Sequence, residues 1–110
     1  MYKKGMKNNR QIVNIVNFIR DIEPRVPMDL ELTVRKDIEL MKQHNLRGTF
    51  LLQYDALIDP VYINMLKSLD PQQFEIGVWF EVVQPLVEKV GLTWRGRFPW
   101  DWHVHCGFLR

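Results

Sequence analysis

Apolar residues fall into three short runs, separated by stretches with helical spacing. The first run, Ile12-Val13-Asn14-Ile15-Val16-Asn17-Phe18-Ile19, is rich in β-branched side chains. It reads as a strand buried on both faces, the pattern of a parallel sheet. The next residues, 20–27, contain two prolines and predict a loop at the strand's C-terminal end. Leu30, Val34, Ile38 and Met41 then recur at one-face helical spacing, with Asp29 as N-cap and an end near His44-Asn45. Arg35, Lys36, Glu39, Lys42 and Gln43 fill the opposite face.

Gly48–Gln53 reads as a second buried strand, followed by a loop over 54–58. Asp59-Pro60 is a helix start, with Asp as the cap and Pro at the first helical position. Tyr62, Met65, Leu66 and Leu69 form its stripe, and Asp70-Pro71 ends it. Phe74–Trp79 is the third strand, and a helix near 85–90 closes at Gly91. Leu92-Thr93-Trp94 is expected to begin a fourth strand. This β-α-β-α-β-α order predicts an α/β fold with a parallel sheet of three to four strands joined in βα units. Residues 1–10 read as a flexible leader, and 11–110 as one domain ending in an aromatic tail.

Composition narrows the function only a little. The chain has 110 residues, 46% of them apolar and 25% charged, which fits one globular domain. Fifteen basic against thirteen acidic residues leave a net charge of +2, and the charges are scattered. That balance gives no case for nucleic acid or an anionic membrane as partner. The apolar runs are far shorter than the roughly 20 residues of a membrane helix. MYKKGMKNNRQ carries signal-like charge without the apolar stretch that must follow, so a cytoplasmic location is expected for the sequence as written. A single Cys106 allows no internal disulfide.

In parallel α/β sheets, sites form where strands end at their C-terminal edge. After the first strand come Arg20, Asp21, Glu23 and Arg25. After the second come Gln53, Tyr54 and Asp55, and after the third come Trp79, Glu81 and Gln84. Carboxylates from different strand ends, Asp21, Glu23 and Glu81, would supply the acid and base that hydrolysis requires. Each also has a structural reading. Asp21 and Glu23 can pair with Arg20 and Arg25, Asp55 can start a turn, and Glu81 can sit in a helix's first turn. Arg25, Tyr54, Trp79, Trp100 and Trp102 are candidates for holding substrate, since flat aromatic faces suit sugar rings. They are equally candidates for packing. His103 and His105 lie on one side of an extended segment, and with Asp101 they form a weak metal-ligand set, because zinc usually takes three or four ligands. No cofactor is expected beyond a divalent metal at such a set.

The segments IVNFIRDIEPR, GTFLLQYDAL and FEIGVWFEVVQPLVEKVGLTWRGRFPWDWH resemble the N-terminal part of an uncharacterised bacterial family. That family is grouped with the glycoside hydrolase/deacetylase β/α-barrels, the superfamily of the polysaccharide deacetylases. The resemblance covers about residues 11–110. GTFLLQYDAL corresponds to the deacetylases' Ala-Thr-Phe-Phe strand, and EIGVW to their Glu-Ile-Gly-x-His strand. Asp21-Ile22-Glu23 stands where the deacetylases carry Asp-Asp. Trp79 and Val83 stand where they carry the two histidines of His-x-x-x-His. What carries over is therefore the barrel and carbohydrate hydrolysis rather than the metal-bound deacetylase mechanism.

The resemblance implies an incomplete TIM-like (β/α) barrel. A full barrel takes roughly 200 residues or more, so the chain is expected to be the first part of a carbohydrate-active hydrolase and inactive alone. An intact relative could be exported. Poly- or oligosaccharide is the implied ligand, and the missing C-terminal half or self-association the implied protein partner. The alternative is a non-catalytic carbohydrate-binding or self-associating module. Under either reading, Val13, Ile15, Phe50, Leu52, Ile76 and Val78 are expected to include the residues facing the uncovered barrel interior.

Overall fold

The computed structural model describes residues 11–22 and 27–99. The leader 1–10, Glu23 and Arg25, and the tail from Trp100, which includes Asp101, Trp102, His103 and His105, lie outside the described residues. The elements run β1 (Val16–Ile19), α1 (Leu30–Gln43), β2 (Gly48–Leu52), α2 (Tyr54–Leu57), α3 (Pro60–Lys67), β3 (Phe74–Val78) and α4 (Gln84–Lys89). The strands form one parallel sheet in the order β1-β2-β3. Its register aligns Ile19 with Leu52 and Leu52 with Val78, so all three strands stop level at one edge.

The sheet is covered on one face only. Ile19, Phe50, Leu52 and Phe74 form a core with Val34, Ile38 and Met41 of α1 and Tyr62 and Leu66 of α3. Phe50 is fully buried, and its ring lies 5.8 Å from that of Phe74. Side chains alternate across a strand, so Val16, Phe18, Thr49, Leu51, Glu75 and Gly77 share the opposite face. No helix of the described residues packs there, and Val16 and Phe18 are exposed. Leu51 leans across this face over Gly77, where a Cβ would stand 2.7 Å from its Cδ2.

These contacts correct several sequence expectations. Strand β1 is shorter than its apolar run, and Ile12 and Val13 are exposed. Phe50 and Leu52 lie beneath the helices rather than facing an open interior. Ile76 and Val78 share their side but stay exposed, because α4 packs on α2 rather than over β3. Residues 54–57 form a helical turn instead of a loop. Among the described residues, 92–99 contain no strand. That segment turns back on α4, with the Gln84 N–H donating to the Pro99 carbonyl at 2.7 Å and Trp94 Nε1 donating to the Phe98 carbonyl at 3.0 Å.

The helix ends follow from their sequences. Asp29 accepts from the Leu32 N–H at 2.9 Å, and Asp59 from the Val61 N–H at 2.8 Å, so both act as N-caps. α1 and α4 both finish with paired reversed bonds. Leu46 and Asn45 donate to Met41 and Lys42, and Leu92 and Gly91 donate to Val87 and Glu88. Each closure needs a left-handed residue, here Asn45 at φ 50° and Gly91 at φ 80°.

Two substitutions test this packing by chemical denaturation. Phe50→Ala is expected to cost about 3–5 kcal/mol, because it opens a cavity between sheet and helices. Gly91→Ala is expected to cost about 1 kcal/mol, through strain at a positive φ with nothing near the new methyl group.

Candidate active site

Because the strands stop level, the residues just past them gather at one edge. The ladder runs one step further, with the Gln53 N–H donating to Ile19 O at 2.8 Å and the Trp79 N–H to Leu52 O at 2.9 Å. Asp21, Tyr54, Trp79 and Glu81 therefore all lie at the C-terminal edge of the sheet. The crossover helices start at this same edge and run back, which adds their N-caps, Asp29 and Asp59.

Asp55 ties the edge together. It is buried at the start of α2, where its Oδ2 accepts the Asp21 N–H at 3.1 Å and its Oδ1 accepts the Ala56 N–H at 2.8 Å. The turn reading of Asp55 thus describes only part of its role, since the same carboxylate also fixes the chain leaving β1. Burial raises the Asp55 carboxyl above its ordinary value. The backbone N–H groups of Ala56, Asp21 and Ile22 and the Arg20 charge pull the other way.

Asp21 lies with Asp59 and Tyr62 along one cleft. The Asp59 charge and the Tyr62 hydroxyl both act on its carboxyl. Loss of water around the carboxyl raises its pKa most, followed by the Asp59 charge, the Asp59 hydrogen bond and the Asp55 charge; the Tyr62 bond opposes them. A negative charge nearby favours the protonated form of a carboxyl. Tyr62 is buried, and burial together with the Asp21 and Asp59 charges pushes its hydroxyl far above the usual range, so it remains a donor. These groups open onto a cleft of about 460 Å³, also lined by Asp29, Glu31 and Met28.

Glu81 is held separately. It is buried past β3, outside α4, and accepts from Gln53 Nε2. A first-turn helix role therefore does not describe it. Gln53 is itself fully buried, and its Oε1 has no hydrogen-bond partner among the described residues. Trp79 is half-buried on the open face, edge-on to Phe18 at 4.9 Å between ring centroids. The Arg20 guanidinium lies 5.3 Å from the Trp79 ring centroid. Arg20 thus stacks on an indole. Tyr54 opens α2 and is half-buried.

Asp59 and Tyr62 escape a reading of the sequence, whereas Gln53 is among its strand-end candidates. Asp59 and Tyr62 look like a helix cap and a core stripe, and they are both of these things. The signal available was topological, because in a βα unit the first turn of the crossover helix lies at the site edge. Among the described residues, no group of three or more His, Cys, Asp and Glu side chains is arranged to hold a metal ion. No helix of the described residues is long and apolar enough to cross a membrane. Compared with family models, curated proteins and solved structures, the chain matches none.

The carboxyl chemistry sets a pH dependence. Asp21 and Asp55 bind a proton more tightly folded than unfolded. Their contribution to stability is present below the ordinary value of 3.8 and is lost as pH rises through the raised folded values. Asp21→Asn is therefore expected to raise the denaturation midpoint at neutral pH, with the gain shrinking as pH falls towards 3.8. Asp55→Asn is expected to lower the midpoint, because an amide has one acceptor oxygen where the carboxylate serves two N–H groups. Midpoints measured across the acid range check both signs.

Proposed function

We propose that the chain is part of a β/α-barrel hydrolase acting on carbohydrate, with its chemistry at the C-terminal edge of the sheet. The carrying observation is the Asp21–Asp59–Tyr62 group opening onto a cleft at that edge. A carboxyl whose pKa is raised beside a second carboxylate is better suited to donate a proton to a departing sugar or ester oxygen. In this reading Asp21 is the general acid, the Asp59 charge favours its protonated form and Tyr62 orients it. Glu81, fixed by Gln53, is the second rim carboxylate and acts as base or nucleophile, as its distance to the scissile bond dictates. Tyr54 and the exposed part of Trp79 are the sugar contacts among the described residues, while Glu23, Arg25, Trp100 and Trp102 extend the proposed rim. A divalent metal would have His103, His105 and Asp101 as its donors, and no step here is routed through it.

The isolated chain is expected to turn over neither xylan- nor chitin-derived oligosaccharides. Three strands leave the rim open, and misplacement of reacting groups by about 1 Å can cost a hundredfold. A non-catalytic binding module is the second reading, favoured by the Arg20 guanidinium stacked on Trp79, which rigidifies an aromatic contact.

A titration with those oligosaccharides, followed by amide and indole NMR shifts, tests the ligand class. Shifts confined to Asp21, Tyr54 and Trp79, and abolished by Trp79→Ala, are the expected result. No shift at about 10 mM sugar, beyond even millimolar affinity, would reject the carbohydrate reading. Turnover by the isolated chain that vanishes in Asp21→Asn would support the acid role and overturn the expected inactivity.

A further inference from the structure

We draw no further inference here: the strongest candidate, the buried Gln53 amide at the C-terminal edge of the sheet, whose Oε1 lacks a partner among the described residues, belongs through its bond to Glu81 to the site already described, and nothing in the structure shows which group meets that oxygen.

Discussion

The structure depends on the burial of β2 against α1 and α3 on one side alone. Phe50 and Leu52 are sealed beneath Ile38, Met41, Tyr62 and Leu66, while Thr49 and Leu51 are only half-buried. A parallel strand needs a crossover, and both crossovers here place their helices on the same face. Each helix then starts where the preceding strand ends. The one-sided core therefore does two things at once, since it collects the strand ends and the helix caps at one edge and leaves the opposite face uncovered.

The edge is held by polar contacts that the core makes unavoidable. Gln53 and Asp55 flank Tyr54 at the end of the central strand, too deep to be served by water. Asp55 finds backbone N–H groups from two segments, and Gln53 finds Glu81. Buried polar groups without such partners would cost about 1–3 kcal/mol each. These bonds set where Asp21 leaves β1, and so place it against Asp59 and Tyr62.

The strands and the two longer crossover helices were legible because their signals are local: β-branched runs, one-face spacing and Asp caps. The identity of the buried face was not legible. A parallel strand is apolar on both sides, so Phe50 and Phe18 look alike in sequence although one is buried and the other exposed. Four residues, Tyr54–Leu57, are too few to show a helical period. At the site, Asp21 and Glu81 could be placed by their positions after strands. Asp59 and Tyr62 were hidden by the structural duties they also perform, and Gln53 could be placed after its strand although its bond to Glu81 could not be foreseen.

The central claim is that burial and the neighbouring Asp59 charge hold the Asp21 carboxyl above its ordinary range at this edge, and a carbon-detected NMR titration of the Asp21 carboxyl tests it most directly. The account predicts a midpoint above the ordinary value of 3.8 in the native sequence. It predicts a lower midpoint in Asp59→Asn, where the helix cap is kept because Asn caps as well as Asp. A midpoint at or below 3.8, or one unmoved by that substitution, would contradict it.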